Sequence, residues 1–175
     1  MDQRPGPATR RLRLRTSLAL AEGGGLRRMD IVRVTGQHVT RDDHGVHIAV
    51  PGDPNDPTDK GRTVTVTIRW ERTVWDAAVL AGPHLLVAPE RTSLNGDAFT
   101  GSIDTANKMA PPGDEFTVRR ARNTWLARHL IAGTPLPLLM AQAGLTTTAH
   151  IQDLLPHLPA LDAAACASWM RSADE

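Results

Sequence analysis

No tyrosine occurs anywhere in the 175 residues, and phenylalanine appears only twice. Without tyrosine, no phenolic hydroxyl of this chain can act as a nucleophile. The single cysteine, Cys166, lies in the small-residue run DAAACASW. One thiol excludes an intrachain disulfide and reads as a reducing context, so we expect a small packed or tolerated residue and a cytoplasmic location. Lysine is almost missing too: Lys60 and Lys108 stand alone, and arginine carries nearly all the positive charge. Together with the abundance of alanine this looks like a GC-rich coding bias, which lowers the meaning of any one arginine. No apolar run approaches the length of a membrane span, and the basic start MDQRPGPATRRLRLRTSLALAEGGG is interrupted by arginines, so no membrane partner is expected.

An excess of either charge is also lacking. Lys+Arg number 20 against Asp+Glu 19, for a net charge of +1. A polyanionic partner therefore has to be argued from where the charge sits, not from its sum. With 41% hydrophobic and 22% charged residues the chain has the make-up of a globular protein, and its length fits one domain, residues 1–175, around one core.

Helical, then β, then helical patterns follow along the chain. Residues 8–22 read as a helix with Leu12, Leu18 and Ala19 inward and Arg10, Arg11 and Arg15 outward, ended by Gly23–Gly25. The run Arg10–Arg15 is read as a solvated helix face, with DNA contact as the alternative. A short helix is expected in LRRMDIVRV. QHVT, GVHIAV and RTVTVTI alternate and are β-branched, which predicts three strands, the second and third joined by a loose loop in PGDPNDPTDKG. Helices are expected again in WERTVWDAAVLAG, at 102–110, from near Thr117 to before Gly133, in PLPLLMAQAG, in TTTAHIQDLL and in PALDAAACASWMRSA, with 89–101 a polar connector. Val118, Trp125, Leu126 and Leu130 form the core stripe of the helix that carries RRARNTWLARHLIAG. His38, His44 and His47 lie close together, but no cysteine or carboxylate completes a ligand spacing, so exposed strand histidines are expected and no metal or other cofactor.

Three separated motifs carry a resemblance. EGGGLRRMDIVRVTGQHV is similar to the opening of the tyrosine recombinase (phage integrase) catalytic domain, with Gly25, Leu26 and Arg27 followed by the acid Asp30. RNTWLARHLIAG resembles the helix that bears the family's second arginine, here Arg122. MAQAGLTTTAHIQDLLPHL resembles the segment that holds the nucleophile. Over residues 10–170 the resemblance implies an α+β fold, mostly helical, with a small three-stranded antiparallel sheet. It also implies a DNA phosphate site. Arg27 and Arg122 fall on the two phosphate-binding arginines, whose planar fork suits bidentate contact. The family histidine before the second arginine falls on Arg119, and the hairpin lysine falls near Lys60. The phosphate-orienting His or Trp position falls on Leu145, and the tyrosine position on Leu154, or Leu155 with a slip of one.

The departures point one way. With the nucleophile and the proton-handling residues replaced together, no phosphotyrosyl link is expected, and neither His150 nor His157 falls in the tyrosine register. Arg27, Arg119 and Arg122, with Lys60 as a further candidate, remain as a phosphate clamp. Other roles are open: Arg27 pairing with Asp30 or capping a helix, Arg122 pairing with Asp114 or Glu115, and Lys60 in solvent. We also expect no N-terminal core-binding domain ahead of residue 10, hence weak binding to double-stranded DNA by this half alone. Trp169 and Met170 on the last helix seat either in their own domain or on a neighbouring copy or recombinase partner. Three function classes follow: a catalytically inactive recombinase-like DNA-binding regulator or accessory factor of a mobile element, plasmid or chromosome; a protein-interaction module that lost DNA binding; and a recombinase component that borrows a nucleophile from another chain.

Overall fold

The computed structural model describes residues 6–108, 111, 113, 115–160 and 162–171. Asp114 and the side chain of Trp169, for which pairing and docking roles were expected, lie outside the described residues.

Helix α1 (Pro7–Leu18) opens with proline in its first turn, where a missing N–H costs nothing, and widens into a π-helical turn, Ala19–Gly23. That turn is the hub of the fold, with Ala19, Leu20 and Ala21 fully buried. Gly25 follows at φ +62°, and a Cβ there would stand 2.4 Å from the Trp125 ring, so only glycine permits both the turn and the contact. The arginine run of α1 is not wholly a solvated face: Arg13 is 5% exposed. Its guanidinium donates to the Val87 carbonyl at 3.2 Å, Ser102 Oγ at 2.9 Å and Glu90 Oε1 at 2.9 Å. Helical rotation turns this one residue inward, beside Thr16 and Ser17, and the fork geometry satisfies it there.

Helix α2 (Arg28–Ile31) is a single turn, shorter than LRRMDIVRV suggested, because Val34 leaves the helix and accepts from Leu86 N–H at 3.0 Å. Strands β1 (Val39–Asp42), β2 (Gly45–Val50) and β3 (Arg62–Thr65) form an antiparallel sheet in the order β1-β2-β3. The register pairs Val39 with Ile48 and Ile48 with Val64. Period-two alternation sends Val46, Ile48, Val50 and Val64 into the core, as the pattern predicted. His47 bonds Asp42 Oδ1 at 3.0 Å, and His38 Nδ1 accepts from Thr35 N–H at 3.0 Å; both are half-buried, rather than exposed as expected.

Helix α3 (Ile68–Ala81) packs on the sheet and on the π-turn. Helix α4 (Gly96–Asn107) starts six residues before the expected 102, inside the stretch read as a polar connector. Asn95 caps it by accepting from Asp97 N–H at 2.8 Å, and Phe99 and Ile103 are buried one turn apart. Helix α5 (Val118–Ile131) is capped by Thr117, whose hydroxyl accepts from Arg120 N–H at 3.1 Å. Helix α6 (Leu136–Ala143) ends on Gly144 in the left-handed conformation. Helix α7 (Ala149–Gln152) is cut short where Pro156 enters the next 3-10 turn, Leu155–His157. Helix α8 (Ala163–Arg171) follows with Met170 exposed.

The core has two parts. The larger joins the π-turn, sheet and α3 to Phe99, Ile103, Val118 and Ala121. The smaller gathers Trp125, Leu126, Leu139, Ala143, Ile151 and Leu154. Helix α5 contributes to both, which places its arginine edge at their junction.

Candidate nucleic-acid interface

Arg27 stands just before α2, and its position is fixed by Asp30. The Asp30 carboxylate accepts from the Arg27 backbone N–H at 2.9 Å, from Arg27 Nε at 3.2 Å and Nη2 at 3.3 Å, and from Arg62 Nη2 at 2.7 Å. Arg33 Nη2 lies 3.5 Å from the same carboxylate. Asp30 is fully buried. Burial alone would raise its pKa; the Arg62 hydrogen bond and charge, with the Arg27 contacts, outweigh that and hold it below the ordinary carboxylate value. The expected alternative, Arg27 paired with Asp30 at the helix start, is thus present. Arg27 nonetheless keeps 42% of its side-chain surface exposed and also faces Asp59 at 3.6 Å. Burial pulls its pKa down, but Asp30, Asp59 and Asp53 more than reverse this.

Arg122 is placed differently. It is 6% exposed; Nη1 donates to the Gly25 carbonyl and Nη2 to the Ala143 carbonyl at 2.8 Å. It pairs with neither Glu115, whose carbonyl takes Arg120, nor any other described acid. Burial first, then the Arg62 charge, pulls its pKa down to about 10, with Asp30 opposing. It remains a cation at neutral pH, and its two carbonyl bonds make it a brace between Gly25, just after the π-turn, and the end of α6.

Arg119 is exposed on the first turn of α5 and makes no hydrogen bond or ion pair with any described residue. Arg27, Arg119 and Arg122 all line one cavity of about 280 Å3, with Arg28 as a fourth guanidinium and Phe99, Ile103 and Val118 as apolar wall. Asp104 is the one acid among its described lining residues. Arg28, which donates to Thr100 Oγ1 at 3.0 Å, was missed by the sequence reading although it directly follows Arg27.

Lys60 does not join this group. Its Nζ donates to the Pro57 carbonyl at 2.9 Å, and it lines a second cavity, of about 360 Å3, with Arg27, Arg62 and Leu145. Arg27 is therefore the wall between the two spaces. Leu145 is partly buried against the smaller core, and Leu154 lies inside it at 7% exposure. Neither offers a polar atom. His150 Nε2 is tied to Asn123 Oδ1 at 2.9 Å. Among the described residues no group of His, Cys, Asp and Glu could hold a metal ion, and no helix is long and apolar enough to cross a membrane.

No family model and no curated protein matches the sequence. Solved structures do match. XerA recombinase superposes with a TM-score of 0.63 at 15% identity, over 98% of this chain and 65% of that one. The Tn1549 transposon integrase in complex with circular intermediate DNA gives 0.59 at 15% identity, over 97% of this chain and 66% of that one. A variant of that integrase with transposon right end DNA gives 0.61 at 13% identity, over 99% and 68%. The chain spans about two thirds of these proteins, and at such identities the likeness speaks for architecture. Helices around one small three-stranded antiparallel sheet, matched along nearly the whole chain, give this protein the fold of the tyrosine recombinase and integrase catalytic domain.

Proposed function

We propose that this chain forms a recombinase-like domain that grips the backbone of double-stranded DNA without cutting it, as a regulator or accessory factor in DNA recombination. One observation carries the reading: four guanidinium groups, of Arg27, Arg28, Arg119 and Arg122, border one cavity that contains a single described acid. Arginine forks suit phosphate oxygens, and contacts of this kind give salt-dependent binding with no sequence readout. The integrase whose fold it shares was seen in complex with DNA, which supports the same partner here. Catalysis is set aside because the chain holds no tyrosine and because Leu154, at the position the resemblance assigns to the nucleophile, is enclosed in apolar core.

With a net charge of +1 and one such face, the domain binds duplex DNA weakly alone. A second gripping surface comes from another copy or a recombinase partner, for which the exposed helix α8 is the candidate link. Its place of action is the cytoplasm.

A salt titration of binding to a 30-base-pair duplex, followed by fluorescence anisotropy, tests the reading. Replacing both Arg28 and Arg119, which are exposed at least in part, by alanine should weaken binding and lower the slope of log K against log[salt] by about two. An unchanged affinity removes the clamp and favours a protein-interaction module, for which the aspartates around Arg27 speak. A covalent adduct trapped on a nicked suicide duplex, with a recombinase partner present, would establish a borrowed nucleophile instead.

A further inference from the structure

The loop between β2 and β3, residues 51–61, is a succession of side-chain-closed turns. Each of its three aspartates closes its own turn: Asp53 Oδ1 accepts from Asn55 N–H, Asp56 Oδ1 from Thr58 N–H and Asp59 Oδ1 from Gly61 N–H, all at 2.9 Å. Its neck admits no side chain, since a Cβ on Gly52 would lie 2.1 Å from the Asp59 carbonyl oxygen. Lys60, the loop's one cation, is folded back onto Pro57.

So built, the loop lies against the arginines of the α2 segment. Asp59 Oδ2 is 3.6 Å from Arg27 Nη2, and Arg33 Nη1 donates to the Gly52 carbonyl at 2.9 Å and lies 3.7 Å from Asp53 Oδ1. A space of about 270 Å3 between them has Arg27, Arg28 and Arg33 on one side and Asp53, Asp56 and Asp59 on the other. A carboxylate on a guanidinium fork makes the contact that a phosphate oxygen makes. Arg27 and Arg28 both also border the four-arginine cavity, and of these two it is Arg27 that the loop meets with a carboxylate, that of Asp59.

We propose that loop 51–61 is an acidic latch, a built-in phosphate mimic that holds Arg27 until a phosphate backbone displaces it. This rests on the phosphate-binding reading above and adds its regulation. The latch sets a threshold: a single weak phosphate contact competes with a tethered carboxylate, whereas a duplex that engages Arg28 and Arg119 at the same time can open it.

The test uses Asp53→Asn/Asp56→Asn/Asp59→Asn, in which each amide oxygen keeps its turn while the charge goes, with Asp59→Asn alone as the gentler variant. Two readouts are needed: modification of Arg27 by phenylglyoxal, read by peptide mass spectrometry without DNA, and the duplex salt titration. The expected result is several-fold faster modification, about tenfold tighter duplex binding at low salt, and a salt slope steeper by about one. Unchanged Arg27 reactivity in both variants overturns the latch. So does faster modification with duplex affinity equal to that of the unaltered protein. Faster modification that inorganic pyrophosphate suppresses, with no duplex binding by either protein, upholds the latch and removes DNA as its competitor.

Discussion

Arg122 Nη2 donates to the Ala143 carbonyl at 2.8 Å while Nη1 holds the Gly25 carbonyl, so one buried guanidinium ties α5 to two segments far apart in sequence. Replacing Arg122 by alanine leaves two inward carbonyls without a donor and opens a cavity. We expect a loss of about 3 kcal/mol in folding stability, measured by urea unfolding. Any fall in DNA binding by that variant would report unfolding as much as a lost contact.

Arg119 supplies the contrast. It is exposed and unpaired among the described residues, so Arg119→Ala should change stability by less than about 0.5 kcal/mol. Its effect should fall on duplex affinity alone, and a shifted urea midpoint would show a structural role that the geometry does not contain.

Gly25→Ala combines two penalties. The backbone at φ +62° disfavours a side chain, and the methyl group would meet the Trp125 ring at 2.4 Å. A destabilisation of about 2–4 kcal/mol is expected, read from thermal unfolding. Gly82→Ala is the control: it shares a positive φ of 54° but has nothing within 4 Å, so it should cost only the backbone share.

Asp30 gives a pH signature. Its folded pKa lies below the ordinary 3.8, so its contribution is present in full above that value and is lost as the pH falls through the lowered folded one. Urea midpoints should therefore drop as the pH is taken from about 5 downward. Asp30→Asn should flatten that drop and, at neutral pH, cost about 3 kcal/mol, because Arg27, Arg33 and Arg62 lose their shared counter-charge. An unaltered acid profile in the variant would assign the drop to other carboxylates.

Much of the architecture could be read from the residues, and the reasons are local. Alternating β-branched residues placed β1–β3, and Thr117 with Gly133 bounded α5 to within about two residues. The first half of helix α4 escaped because Gly96 and Gly101 look like loop residues; what extends the helix back to Gly96 is burial of Phe99 and Ile103 against distant elements, which no local pattern reports. Arg13 was misread for the same reason: its partners Val87, Glu90 and Ser102 lie more than seventy residues away. At the site, the positions of Arg27, Arg119 and Arg122 on one cavity follow the motif spacing, whereas the division of labour between them does not. Whether an arginine is a brace, a half-neutralised pair or a free cation depends on carbonyls and carboxylates brought in by the fold. The aspartates of 51–61 were visible as turn formers, but their contact with Arg27 and Arg33 needed the third dimension.

Leu154 sits among Trp125, Leu126, Leu139 and Ile151, with 7% of its surface open. A tyrosine introduced there would have to find room for a ring and an acceptor for its hydroxyl among side chains that offer neither. Under the proposed reading, a tyrosine codon at this position would not by itself install a usable nucleophile, because the aliphatic corner around it would have to be rebuilt as well.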